Sequence, residues 1–330
     1  MPSLDETLDR ALAEPKGIPL ASLAALLAST DAGVDEALFT AAAEVKRRCG
    51  KTEVLPRGLI ECSNVCAKDC LYCGIRRSNG RVPRYRLTEA EALAGVEEAR
   101  RRGYPAVAFQ AGEIESEENT RYYERLLSGC RGLEVTLSLG EQAEAVYRRW
   151  KDAGAMRYLI RIETSNRELY GKIHPPTCSF DRRLDCIRTL KRLGYVTGTG
   201  VMIGLPGQTV EDLARDIVFF GEENVDMVGM GPFIPHPSSL LPLPSSLLPR
   251  PFSLSLRMIA LTRLYLHGVN IVAATALEAL DPERGRARGI AAGANVVMPN
   301  VTPAEARVKY DLYPGKVPAG DAGREAGDFR

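Results

Sequence analysis

An alternation constrains this chain more than any other feature. Eight short, β-prone segments stand at residues 57–62, 105–110, 133–139, 157–162, 195–203, 226–230, 270–275 and 295–298. Helix-like stretches follow at 88–102, 119–127, 141–152, 166–172, 180–193, 210–220, 254–266 and 282–292. Such alternation specifies a parallel sheet, because each crossover helix returns the chain to start the next strand in the same direction. Eight repeats predict a complete α/β (βα)8 TIM barrel, with a doubly wound open sheet as the alternative. The punctuation agrees: Thr88-Glu-Ala-Glu91 is a capping box, and Gly103 and Gly194 close helices. A barrel places its chemistry at the strands' C-terminal ends. Glu113, Ser138, Glu141, Arg161, Glu163, Met202, Thr275 and Asn300 all fall there.

Before the first strand, residues 1–50 read as a helical extension. Leu20, Leu23, Leu26 and Leu27 fit one helical face, as do Leu38, Ala41, Ala42 and Val45. Residues 51–316 are assigned to the barrel, and 317–330, mostly Gly, Ala and charge, to a loose tail. The formal net charge of +1 gives no electrostatic case for nucleic acid or an anionic membrane. The richest apolar run, 254–266, is interrupted by Arg257 and Arg263 and is too short to span a bilayer. With no signal-peptide pattern, a reducing cytoplasmic setting is expected, and disulfides are not.

The chain has eight cysteines, and three lie on one loop after the first strand. Cys66, Cys70 and Cys73 form C-x3-C-x2-C, with Tyr72 just before the last. Three thiolates can hold three irons of a [4Fe–4S] cube and leave the fourth iron open to a small molecule. A structural zinc site is the rival reading. It needs four ligands, and Cys62 is the candidate fourth, although its apolar strand context directs it into packing. Cys49, Cys130, Cys178 and Cys186 read as small buried hydrophobes. The spacing and the Tyr-Cys-Gly ending resemble the radical S-adenosylmethionine (SAM) superfamily, in which SAM chelates the open iron and the oxygen-labile cluster implies an anaerobic setting.

Other segments carry weaker signals. In Gln110-Ala-Gly-Glu113 a glycine allows close backbone approach and a carboxylate can accept from an ammonium. Arg157 and Arg161, four apart on a strand, share a face. Pointing into a barrel, they require anions: a bound ligand, or internal partners such as Glu163 or Glu141. Gly204-Leu-Pro-Gly-Gln-Thr209 lacks the Gly-Lys-Ser/Thr of a P-loop and reads as a tight turn. His236, among prolines, reads as a structural hydrogen-bonder.

Longer motifs take the resemblance further. These are Ser63-Asn-Val-Cys66, Cys70-Leu-Tyr-Cys-Gly-Ile-Arg-Arg77, Val135-Thr-Leu-Ser-Leu-Gly-Glu141, Arg157-Tyr-Leu-Ile-Arg-Ile-Glu-Thr164, Gly204–Thr209, Asp226-Met-Val-Gly-Met-Gly-Pro-Phe-Ile-Pro-His-Pro237, Gly293-Ala-Asn-Val-Val-Met-Pro-Asn300 and Leu312-Tyr-Pro-Gly-Lys316. Together, over about residues 55–316, they resemble the HydE family of [FeFe]-hydrogenase maturases, with methylornithine synthase (PylB) and biotin synthase as more distant relatives. The resemblance implies a [4Fe–4S] cluster on Cys66, Cys70 and Cys73. It implies SAM beside Tyr72, Gln110, Gly112, Glu113, Thr136, Ser138, Glu163, Arg183 and Met202. It implies an anion-binding cavity lined by Arg157, Arg161, Met227, Thr275 and Tyr313. The implied activity is reductive cleavage of SAM to a 5′-deoxyadenosyl radical. The implied substrate is an organometallic Fe(CO)2(CN)-cysteine species made by HydG. HydF and an electron donor are implied as further partners. The sequence departs from the family at Ile114, where Asp is common, and at Ala274, one of two adjacent threonines. No cysteine follows Cys186, so one cluster is expected rather than two.

Two rivals remain open at this level. One is a PylB-like mutase or lyase acting on an amino-acid-like substrate, which the arginine pair would also suit. The other is not an enzyme: an iron–sulfur or zinc scaffold.

Overall fold

The computed structural model describes residues 3–241 and 250–316. The tail expected after Lys316, and residues 242–249 of the Pro-rich segment expected at 232–251, lie outside the described residues. Within them the strands are β1 (Leu55–Ser63), β2 (Ala106–Ala111), β3 (Glu134–Ser138), β4 (Arg157–Leu159), β5 (Val196–Thr199), β6 (Met202–Ile203), β7 (Met227–Pro232), β8 (Asn270–Ala273) and β9 (Val296–Val297). All pair in parallel. The β1–β9 and β5–β7 pairings close the sheet into the barrel that the alternation predicts. The fifth expected strand is split into β5 and β6. At the break, a Cβ on Gly200 would strike the Gly229 carbonyl, so only glycine permits the two strands this approach.

Period-2 alternation decides what each face does. Ile60, Cys62, Val107, Phe109, Val135, Leu137, Tyr158, Ile160, Val228 and Met230 are buried in one apolar cluster under the helices. Their neighbours in sequence therefore face the barrel axis: Arg57, Leu59 and Glu61 on β1, Thr136 and Ser138 on β3, Arg157 and Leu159 on β4. TIM barrels usually fill this interior with branched apolar side chains. Here much of the inner face is charged, polar or glycine, which is the lining of a chamber rather than of a core.

Helix ends follow the sequence. Thr88 caps the helix Glu89–Arg101, its Oγ1 accepting from Glu91 N at 3.2 Å while Glu91 Oε2 accepts from Thr88 N at 2.7 Å. Thr88→Ala is expected to destabilise the fold by about 1 kcal/mol. A lower urea midpoint with unchanged iron content would show it; an unchanged midpoint would refute it. The helix Pro251–Leu266 is buried nearly all round. The two arginines that interrupt its apolar run satisfy loop carbonyls: Arg263 donates to Gly293 O at 3.0 Å and Val269 O at 2.7 Å, and Arg257 to Leu26 O at 3.2 Å and to Ser29 O. Arg257 also pairs with Asp35, tying this helix to Ala32–Arg48 of the N-terminal extension.

Several boundaries differ from expectation. β4, expected to run to residue 162, ends at Leu159, so Arg161 lies just past the strand rather than on it. The helix expected at 141–152 starts only at Glu144, because Glu141 and Gln142 are buried at the barrel mouth. Thr275, expected to end a strand, opens an unexpected helix, Thr275–Leu280. The following helix is correspondingly short, Gly285–Ala291, and its glycine start lets it abut the Leu277 carbonyl. Among the described residues no helix is long and apolar enough to cross a membrane.

Candidate functional site

β1 delivers the cysteine loop to the C-terminal mouth of the barrel. The loop is pinned by polar side chains that carry no signal in sequence. Asn64 is fully buried; its Nδ2 donates to Pro83 O (2.8 Å) and Lys309 O (2.7 Å), and its Oδ1 accepts from Tyr85 N (2.8 Å). Arg84 donates to the carbonyls of Asn64 and Ile75 at 2.6 and 2.8 Å. Gly112, expected to admit a ligand, instead admits the loop itself: a Cβ there would fall on the Val65 carbonyl. Gly74 likewise makes room for the Asp311 carbonyl of the C-terminal segment.

Cys66, Cys70 and Cys73 are free, partly exposed thiols. Cys66 Sγ already accepts from two amides, Lys68 N at 3.4 Å and Glu113 N at 3.3 Å, the kind of donor that stabilises cluster sulfur. Burial pushes the Cys73 thiol up to about 12, with Cys66 adding to the rise. Each thiol must therefore shed a proton on taking iron. Cys62 points the other way. It is fully buried under the helices, near Tyr122 and Tyr123, so it cannot complete a four-thiolate zinc site with the loop. Among the described residues no three His, Cys, Asp or Glu side chains converge on one point, as a single ion requires. A cube asks instead for one thiolate on each of three irons, which a three-cysteine loop can give.

Beside the loop lies a charge network. Lys68 Nζ reaches Glu113 Oε1 at 3.0 Å and Glu141 Oε2 at 3.2 Å. Arg183, on the helix Phe180–Arg192, donates to Glu141 Oε1 at 2.7 Å and to Arg161 O at 2.7 Å, and sits 4.0 Å from Glu113 Oε2. Burial alone would raise the Glu141 carboxyl; Arg183 and then Lys68 reverse the direction and hold it below the usual range. Burial does raise Glu113, against the pull of Arg183. Glu113, expected to meet an ammonium, thus already holds that of Lys68. Glu141, noted in sequence only as a strand-end residue and possible arginine partner, proves to be the hub.

Glu163 has φ +68°, a left-handed conformation rare for a non-glycine residue and common where function demands it. Its carboxylate lies 2.9 Å from Arg161 Nη2 and 3.5 Å from Tyr72 OH. Tyr72 also meets His174 Nε2 at 3.4 Å, and burial keeps that imidazole neutral, with its pKa near about 4. Met202 packs with Leu71 and Tyr72 in a small apolar cluster at this rim. Gln110 bonds the buried Tyr310 side chain. The buried Thr136 hydroxyl, level with Arg157 in the β3–β4 register, has no partner among the described residues. At the mouth, an apolar rim beside several carboxylates suits a ligand with an ammonium and an apolar face.

Deeper in, Arg157 starts β4, below Arg161. Arg157 Nη1 lies 2.6 Å from Glu134 Oε2, whose side chain is 47% exposed. Arg161 pairs with Glu163 and donates to Val201 O at 2.8 Å. Arg161 thus has the expected partner Glu163, Arg157 has Glu134, which the sequence did not suggest, and Glu141 pairs with neither. The pairings are incomplete: among the described residues the buried Nε of each arginine has no acceptor. Sequence reasoning also missed Arg57, buried on the inner face of β1, its Nη1 3.2 Å from Met227 Sδ. Burial, then Arg157, lowers its pKa to about 10. The signal was present, since Arg57 and Glu61 show the same four-residue spacing as Arg157 and Arg161. Thr275 and Tyr313 meet, Oγ1 to OH, at 2.6 Å. Above them Lys316 reaches into the mouth and pairs with the buried Glu61, which also accepts from Asn300 Nδ2 at 2.9 Å.

The geometry agrees with three comparisons. The model of the radical SAM superfamily matches residues 60–220. The [FeFe]-hydrogenase maturase subunit HydE of Thermotoga maritima is 46% identical over 297 residues, covering 88% of this chain and 82% of that protein. The 3-methylornithine synthase of Methanosarcina acetivorans is 27% identical, covering 84% and 78%. In fold, the crystal structure of methylornithine synthase (PylB) superposes with a TM-score of 0.77 at 24% identity over 88% of this chain and 85% of that one. The maturase HydG from Carboxydothermus hydrogenoformans gives 0.76 at 19% identity, over 90% and 70%. A barrel with a three-thiolate loop at its mouth and close likeness to a curated HydE lead to one assignment: the chain belongs to the radical SAM superfamily, enzymes that use a [4Fe–4S] cluster and SAM, and within it to the HydE family of [FeFe]-hydrogenase maturases.

Proposed function

We propose that this radical SAM enzyme acts, in assembly of the [FeFe]-hydrogenase active site, on a small anionic iron complex carrying cysteine, carbon monoxide and cyanide. The observation that supports this reading most is the cation excess inside the barrel. Glu134 pairs with Arg157, Arg57 is buried near it with a thioether contact to Met227, and among the described residues the Nε groups of Arg157 and Arg161 lack acceptors. A buried guanidinium without full pairing is costly, and an anionic ligand supplies what is missing.

In this reading Cys66, Cys70 and Cys73 hold the cluster, whose chemistry with SAM is to supply a 5′-deoxyadenosyl radical. Tyr72, Gln110, Gly112, Glu113, Thr136, Ser138, Glu163, Arg183 and Met202 surround SAM. Arg157, Arg161, Met227, Thr275 and Tyr313 line the substrate cavity, with Arg57 added from the geometry. The closed barrel keeps water from the reacting atoms. Residues 1–50 form the helical extension and 51–316 the catalytic barrel. The setting is the reducing cytoplasm, and the partners are HydG, HydF and an electron donor. Complementation of a maturation system lacking its HydE is the test. Restored hydrogenase activity supports the reading; failure with cluster and SAM cleavage intact overturns it.

SAM binding gives a separate check. Glu163→Gln and Arg183→Ala are each expected to weaken SAM by roughly 1–3 kcal/mol with the cluster's absorption spectrum unchanged. Unaltered affinity in both variants would refute the assignment of these residues.

A further inference from the structure

Behind β4 lies a buried acid that the reading above does not use. Asp216, on the helix Val210–Glu222, is 0% exposed. Its Oδ1 accepts two bonds from Ser165, the backbone N at 2.7 Å and Oγ at 2.6 Å. Its Oδ2 is buried without a partner among the described residues. Burial raises this carboxyl to about 7, against the pull of Ser165. Packing alone does not explain such a group, since an apolar residue of the same size would fill the space without an orphan oxygen. What the carboxylate does is grip the turn two residues after Glu163, the residue held at φ +68°.

The same turn is gripped at other points. Asn166 Nδ2 donates to Asp212 Oδ1 at 2.8 Å, from one turn earlier on the same helix. Glu163 N donates to Gly200 O at 2.9 Å, and Met202 N donates to Glu163 O at 3.0 Å. Left-handed backbone at a non-glycine residue is unfavourable and persists only where surrounding bonds over-determine it. The Ser165 bonds are the two shortest among these, and of the bonds to side chains they lie nearest in sequence to Glu163.

We propose that Asp216, acting through Ser165, is a positioning residue that holds Glu163 in its left-handed conformation and so aims the Glu163 carboxylate at SAM. This rests on the reading of Glu163 as a SAM-binding residue. Asp216→Asn keeps one acceptor oxygen of the same shape, Ser165→Ala removes the Oγ bond alone, and Asp216→Leu removes both bonds.

SAM affinity is measured by anaerobic equilibrium dialysis on cluster-loaded protein, with the urea midpoint measured in parallel. Glu163→Gln sets the full effect. Ser165→Ala and Asp216→Leu are expected to weaken SAM about tenfold and Asp216→Asn about threefold, the range of one or two charge-assisted hydrogen bonds. Combined with Glu163→Gln, each should add little further loss, because the bonds act only through that carboxylate. A purely structural role would lower the urea midpoint while leaving SAM losses independent of Glu163. If Glu163→Gln weakens SAM but neither Asp216→Asn nor Ser165→Ala does, the proposal is overturned and the reading of Glu163 stands. If Glu163→Gln leaves affinity unchanged, the reading itself fails. If Asp216→Leu does not fold, Asp216→Asn and Ser165→Ala decide the matter alone.

Discussion

Cys70→Ala protein, reconstituted anaerobically with iron and sulfide, is expected to hold no stable [4Fe–4S] cluster, whereas the unmodified chain binds close to four irons. The reason is the ligand count. Three thiolates on one loop are the minimum that leaves a single iron open, and Cys62 faces the helical layer; Cys178, read from sequence as a small buried hydrophobe, instead has its thiol beside Cys70, so Cys70→Ala/Cys178→Ala is measured alongside to exclude replacement of the lost ligand. No cysteine follows Cys186, so the described sequence offers no second set of ligands. Iron and sulfide analysis with electron paramagnetic resonance checks both halves. A normal cluster in Cys70→Ala, or about eight irons in the unmodified chain, would sink the three-ligand, one-cluster assignment.

Arg157→Met is expected to abolish turnover of the physiological substrate while sparing both SAM binding and slow, uncoupled SAM cleavage. Arg157 lies at the start of β4, far from the cysteine loop, so its loss should not reach the cluster. Its pairing with Glu134 tempers the argument in a useful way. If that pair were all Arg157 does, the variant would strand a half-exposed carboxylate and cost little. If Arg57 and Arg157 together hold an anion, the loss removes half of the charge that binds it. Hydrogenase maturation at normal yield by the Arg157→Met protein would show that the pair is structural and that the anion-cavity reading is wrong.

Much of this was legible in the sequence, for reasons that particular residues make plain. The period-2 and helical patterns located every strand of the barrel, because one face of each strand had to be apolar to meet the helices. The C-x3-C-x2-C loop was legible because its ligands are local. Arg157 and Arg161 could be placed on one face by spacing alone. Their partners could not: Glu134 is a neighbour only once β3 and β4 pair in register, and Lys68 meets Glu141 across 73 residues. Asp216 was invisible for the same reason, since its importance comes entirely from a turn 51 residues earlier. The break after β5 was signalled by Gly198 and Gly200, but a weak strand and a divided one look alike until the Gly229 carbonyl is seen to fill the gap.

The pairing of Glu61 with Lys316 spans 255 residues, and the Asp311 carbonyl covers Gly74 beside the last cluster cysteine. Contacts of such long sequence separation carry a high loop-closure cost and form late in folding. As the chain leaves the ribosome, the cysteine loop emerges well before its cover. Throughout that interval the three thiols face solvent, open to iron delivery and equally open to oxidation. The order of synthesis thus leaves the loop most accessible early, and residues 310–316, packed against Gly74, narrow that access without closing it.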